Sequence, residues 1–234
     1  MNLLAIDSAA SILSVAVASG DQIWYSGSEA GTKHSELVMD SVDMLMKKAG
    51  IAPEDLQGVL CMGGPGSFTG LRIGFSIAKG LSLSLGIPFA AIPSLDCAAM
   101  PCSGRAGPVL PVIAAGKNAF FYALFRYGKR LGPDMDAGPG PIAEVLAGVP
   151  ENQKVLLTGP DADTLFKILL DRDDGKFAGR LELDSGPQQG YAGVLLDIAK
   201  KTKIIDRDTT AWLFSGPEYI RKSDAELKYS QEGR

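Results

Sequence analysis

The chain has 234 residues, 46% of them apolar, and a formal net charge of −4, which allows one large domain or two small lobes with a substantial core. It has no Lys/Arg block of the length expected of a nucleic-acid arm, so tight binding of tRNA or DNA by this chain alone is not expected. Its three cysteines, Cys61, Cys97 and Cys102, lack CxxC spacing and fit a reducing cytoplasm better than a disulfide framework.

The N-terminus opens on an apolar strand, Leu3–Asp7, without a positive leader, so no signal peptide is expected. Strands at Ile12–Ala18 and Gln22–Glu29 follow, with Ser19-Gly20-Asp21 as a tight hairpin turn. Lys33–Ala49 switches to helical period, with Val38, Val42, Leu45, Met46 and Ala49 on one side. Thr32 or Ser35 is its candidate cap and Gly50 its stop. Gly58–Gly63 reads as a buried strand, Phe68–Leu85 as a helix ended by Gly86, and Ile87–Ile92 as a further strand. The order β-β-β-α-β-α-β suggests a mixed sheet with helices on its faces. The stretch Ile73–Ile92 is broken by Lys79, three glycines and Pro88, too interrupted for a span of about 20 apolar residues.

Pro93–Pro108 reads as a connection between lobes, placing a first lobe at 1–106 and a smaller, degenerate second lobe at 107–234, whose last helix is expected to pack back on the first. In the second lobe Val109–Ala115 and Phe120–Tyr127 read as strands and Asp134–Pro141 as a loop. Ile142–Ala147 reads as a short helix and Val155–Leu157 as a strand. Asp161–Leu170 and Gly193–Lys201 read as helices and Pro217–Arg221 as a late strand.

The run CMGGPGSFTGLR, residues 61–72, puts four glycines before a helix. It lacks the lysine and following hydroxyl of a Walker loop and the spacing of a dinucleotide GxGxxG, although helix-start N–H groups can still hold an anion. Gly66, Gly70, Gly74 and Ala78 recur every fourth residue, which on a helix makes a stripe poor in side chains. Each helical glycine costs about 0.5–1 kcal/mol against alanine, so the stripe implies close backbone approach. Either a partner helix or an element of the same chain satisfies that. Asp7, at the end of the first strand, is the candidate cofactor-binding acid, and a strand-end cap is the alternative. A lone His34 builds no Ser-His-Asp triad, and one His with three scattered Cys has no zinc spacing. Tyr219 and Arg221 are read either as a ligand pair or as the exposed face of an edge strand.

Four segments together resemble the TsaB (YeaZ) family: LAIDSA near the start, KHSELVMDSVDMLM, GGPGSFTGLRIGFSIAKGLSLSLGIP, and the late PEYIRKS. The resemblance covers most of residues 1–95 and returns at 217–223. It implies an actin/Hsp70/sugar-kinase-like α/β fold of two related lobes. It also implies a non-catalytic dimerisation subunit of the bacterial machinery that makes threonylcarbamoyladenosine in tRNA, with TsaD as catalytic subunit and TsaE as ATPase. TsaD carries a metal-binding His-x-x-x-His; the corresponding positions here are Ser94 and Ala98, neither able to replace imidazole. The resemblance therefore implies no catalytic residue, metal or cofactor in this chain, ATP and metal belonging to the partner subunits. By the same resemblance helices 33–49 and 68–85 pair with TsaD, the contact residues being His34, Val38, Val42, Met46, Gly70, Leu71, Gly74, Phe75 and Ala78. TsaE docks on that pair, tRNA is met only indirectly, and the chain alone forms a homodimer. Many members carry an acid where this chain has Ala114. An ATP-dependent phosphotransferase using Asp7, and a peptidase, are the alternatives.

Overall fold

The computed structural model describes residues 1–221 apart from 30, 32, 173–176, 178, 185, 188–189 and 207–209. The first half runs β1 (Asn2–Asp7), β2 (Leu13–Ser19), β3 (Gln22–Ser28), α1 (His34–Ala49), β4 (Gly58–Gly64), α2 (Phe68–Leu85), β5 (Phe89–Pro93) and α3 (Ser94–Ala99). The second runs β6 (Val109–Gly116), β7 (Ala119–Tyr122), β8 (Phe125–Arg126), β9 (Lys129–Arg130), β10 (Met135–Ala137), α4 (Pro139–Ala147), β11 (Val155–Thr158), α5 (Ala162–Arg172), β12 (Leu181–Leu183), α6 (Ala192–Thr202) and α7 (Thr210–Phe214).

The first sheet has the order β3-β2-β1-β4-β5. β1 pairs antiparallel with β2 and parallel with β4, and β4 pairs parallel with β5. The second repeats the plan as β10-β7-β6-β11-β12, with β8 and β9 attached to β6. Again the first two pairings are antiparallel and the last two parallel. β1 is covered on both faces, which is why it reads as an unbroken apolar run. Leu4 and Ile6 meet Val38, Val42, Leu45 and Met46 of α1 and Phe75 and Ala78 of α2. Leu3 and Ala5 meet Leu195, Leu196 and Ala199 of α6, with Cys97 and Ala98 of α3.

The helices start and stop for local reasons. Gly50 and Gly86 close α1 and α2 in the left-handed conformation. Ser67 caps α2, its hydroxyl accepting from Gly70 N. α1 starts after Lys33 with no side-chain cap; Ser35 lies inside the first turn, and Thr32 is outside the described residues.

Four expectations are corrected. Pro93–Pro108 is not simply a connection: Ser94–Ala99, free of Gly and Pro, is the buried α3. Asp134–Pro141 is not a loop, because Met135–Ala137 pairs with β7 and Pro139 occupies the first turn of α4, where a missing N–H costs nothing. Phe120–Tyr127 is split into β7 and β8, and Tyr127 turns with positive φ. Among the described residues Pro217–Arg221 joins no ladder, and one backbone bond, Glu218 N–H to Gly63 O (2.8 Å), ties it to β4, while residues 222–223 of PEYIRKS lie outside the described residues.

The glycine stripe of α2 meets the chain itself. A Cβ at Gly70 would overlap the Ser8 carbonyl oxygen, and one at Gly74 would lie 2.9 Å from Ser8 Oγ and 3.7 Å from Cys61 Cβ. Gly70→Ala is therefore expected to lower stability by about 2 kcal/mol or more. Gly80→Ala, on the same helix with nothing within 4 Å, is expected to raise it by about 0.5–1 kcal/mol. Chemical denaturation of the two variants checks both signs.

Candidate functional site

The turn between β1 and β2 is a junction for three helices. Ser8 donates its hydroxyl to Gly70 O (2.7 Å), and its own carbonyl accepts from His34 Nδ1 (3.1 Å). Ala9 O accepts Ser67 N–H (3.1 Å) at the α2 cap. Asp7, fully buried, accepts N–H groups from Ala9 (3.1 Å), Ala10 (3.3 Å) and Tyr191 (3.1 Å). Ser14 Oγ accepts Ala192 N–H (3.0 Å). Asp7 and Ser14 thus supply acceptors to the free N–H groups at the start of α6. Burial raises the Asp7 pKa above the ordinary carboxylate value, and the three N–H bonds only partly offset that.

Two clefts flank this turn. One, of about 260 Å³, is lined by Ala10, Ser11, Ile12, Pro160, Gly190 and Tyr191, with Asp163 as its charged residue among the described ones. The Asp7 carboxylate is committed to main-chain donors beneath it, and no described lining residue is a cation placed for a polyphosphate. The other cleft, of about 280 Å³, lies between the start of α2 and residues 114–117 at the end of β6 and just beyond it. The 217–221 segment crosses it. Tyr219 stacks on Phe68 (4.9 Å between centroids) and accepts from Arg72 Nε (3.2 Å), while the Arg72 guanidinium covers the Phe68 ring at 3.8 Å. Arg221 donates to Ala115 O (3.0 Å). Tyr219 and Arg221 are thus drawn into contacts that tie the two sheets together.

Ala114 has a carboxylate beside it: its N–H donates to Asp161 Oδ2 (2.7 Å), just ahead of α5. Ser94 is buried with its hydroxyl accepting Gly64 N–H (3.2 Å), and Ala98 is core. Among the described residues no group of three His, Cys, Asp or Glu is placed to hold a metal. Cys61 and Cys97 are buried, which pushes both thiols up in pKa, and Cys102 is raised to about 11 by burial and by Asp184.

The nine residues expected to touch a partner are all buried inside the chain. Val38, Val42, Met46, Phe75 and Ala78 pack on the first sheet, Leu71 faces the α6 side, and His34, Gly70 and Gly74 are turned toward the interior. The glycine stripe accordingly seats α2 on Ser8, and its assignment as a smooth face for another helix is corrected. What the two helices present outward is a second apolar set. A groove between them is lined by Met39, Phe68, Arg72, Ile73, Ser76 and Ile77. Met39, Met44 and Leu83 are 45%, 38% and 69% exposed. The sequence signal for this set is apolar residues at positions that an amphipathic helix assigns to water.

The profile of the family described as "TsaD: tRNA N6-adenosine threonylcarbamoyltransferase" matches residues 27–165, more than half of the chain. The chain belongs to this family, on its TsaB (YeaZ) branch. It is 34% identical over 128 residues to the tRNA threonylcarbamoyladenosine biosynthesis protein TsaB of Bacillus subtilis (strain 168), covering 54% of this chain and 56% of that relative. To the Escherichia coli (strain K12) TsaB it is 29% identical over 128 residues, covering 54% and 55%. The matches thus span little more than half the length of these curated relatives. Among solved structures, YeaZ from Pseudomonas aeruginosa superposes with a TM-score of 0.70 over 94% of this chain and 99% of that one, at 19% identity. That likeness shows the fold alone, an actin-like α/β plan of mixed sheets with flanking helices. Among the described residues no helix is long and apolar enough to cross a membrane.

Two expected outcomes follow from the Asp7–Ser14 junction. Ser14→Ala should cost about 1 kcal/mol by leaving Ala192 N–H without its acceptor. Asp7→Asn, whose amide must set an NH2 against backbone donors, should cost about 1–3 kcal/mol. A raised folded-state pKa means that Asp7 contributes stability fully below about pH 4 and loses it as pH rises through the folded value. The difference between wild type and Asp7→Asn should therefore shrink from pH 4 toward pH 7 in urea titrations; a widening difference contradicts this.

Proposed function

We propose that the chain is a non-catalytic docking subunit in the formation of threonylcarbamoyladenosine in tRNA. In this reading its α1–α2 face binds a TsaD-type catalytic subunit, a TsaE-type ATPase docks on the pair, and tRNA is met through the partners. Kinship with the TsaB relatives supports the pathway. The observation that carries the docking role is the outward groove between α1 and α2, with Met39 on its wall and Leu83 left in water further along α2, on helices whose inner faces are already filled. An adaptable Met side chain on an apolar groove suits helix-face recognition. The same face accounts for a homodimer when no partner is present.

A protein that binds nucleotide for chemistry of its own needs an acid free to meet a metal ion. Here Asp7 is enclosed by main-chain donors, which favours the docking role over a phosphotransferase. The test is light scattering on the chain mixed with the TsaD-type protein of the same organism. Wild type should form a stoichiometric heterodimer. Met39→Asp and Ser76→Arg, both at exposed positions in the groove, should weaken it by about thirtyfold or more with little loss of stability. Unchanged affinity in both variants contradicts the assigned face. Mg-ATP binding by the isolated chain in calorimetry would restore the phosphotransferase.

A further inference from the structure

Three of the four main sheet edges are guarded. β10 and β12 are three residues long and carry Asp136 and Glu182. β5 ends in Pro93 and is flanked by α7, whose Trp212 ring meets Phe89 edge-on at 6.4 Å. β3 is different. It runs seven residues, QIWYSGS, with no proline and no charged side chain, in unbroken register with β2. Lys, Pro, bulges or short length normally blunt such an edge, and β3 has none of these. The two-residue turn at Gly20-Asp21 makes Ser19↔Gln22 a hydrogen-bonded pair, so Trp24 and Ser26 also face β2. The N–H and C=O groups of Ile23, Tyr25 and Gly27 therefore point away from the sheet, and among the described residues no backbone partner takes them.

The ends of this edge carry like charge. Exposed Asp21 and Glu29 bracket the strand, eight positions apart. Lys200, the nearby cation, has its Nζ at Gly20 O (3.4 Å). The one antiparallel self-pairing that uses all three free residues centres on Tyr25 and sets Asp21 against Glu29 of the other copy at both ends, which is repulsive. A second copy of this chain is thus a poor occupant, and a strand with basic ends is a good one.

We infer that the free edge of β3 accepts an extended peptide segment of another protein, uncharged in its middle and carrying Lys or Arg at two positions eight residues apart, as an added sixth strand of the first sheet. The binding is separate from the α1–α2 groove. The probe is the capped peptide Lys-Thr-Val-Thr-Val-Thr-Val-Thr-Lys, compared with the same peptide ending in Glu at both positions, on the full chain at low salt. The Lys-ended peptide should bind about tenfold tighter, two facing charge pairs accounting for that ratio. Ile23→Pro removes one outward N–H without touching the β2 ladder and should reduce binding about tenfold, with its thermal melt confirming the fold. Asp21→Lys combined with Glu29→Lys, at exposed positions, should reverse the preference to the Glu-ended peptide, and Leu170→Glu, at an exposed position of α5, should leave peptide binding unchanged. Equal binding of both peptides, or binding of neither, overturns the inference. So does self-association of the wild type that is lost in Ile23→Pro, which would make a second copy the occupant.

Discussion

Asp7, Ser8 and Ala9 form one turn of main chain onto which α1, α2 and α6 are all fastened. The Asp7 carboxylate takes three N–H groups, one of them from Tyr191 at the start of α6, and Ser8 binds Gly70 through its hydroxyl and His34 through its carbonyl. These contacts are buried, where an unmatched donor or acceptor costs about 1–3 kcal/mol, so they fix the helices together rather than singly. The demand for glycine at position 70 follows directly: the Ser8 carbonyl occupies the place of its Cβ. The Asp7 carboxylate and the Ser8 hydroxyl and carbonyl in this turn are matched to partners within the chain.

Because α1 and α2 are held from below by this turn and by the first sheet, their outer faces are presented as one surface. The groove between them owes its shape to residues that never reach it, such as Val38, Val42 and Phe75. On the other flank the Phe68–Arg72–Tyr219 stack and the Arg221 bond to Ala115 join the start of α2 to the second sheet. The lobes are therefore joined on two sides of the β1–β2 turn, by α6 and by the 217–221 segment.

Much of the fold was legible because its elements are long and strongly patterned. β1 through β5 and the helices α1 and α2 stand within a few residues of where period and glycine stops place them. The short pieces were hidden for physical reasons. α3 is buried on most sides and has no amphipathic period, β10 has three residues between breakers, and 217–221 reads as a strand although its Tyr219 stacks on Phe68 of α2 rather than pairing. The candidate contact residues were misplaced by a related ambiguity. A stripe of small residues shows that something approaches closely without showing what, and here it is Ser8. Met39 of α1 was the better signal, being an apolar side chain left 45% exposed on the groove.

The claim on which the account rests is that the outward face of α1 and α2 is covered in the working assembly. Hydroxyl-radical footprinting of methionine sulfur tests it, with an internal control in the same chain. Met39 lines the groove on that face, while Met135, 46% exposed on β10, lies on the second sheet. Mixing the chain with a TsaD-type partner should slow oxidation of Met39 severalfold and leave Met135 unchanged. Protection of Met135 with Met39 still oxidised at the free rate would contradict the account.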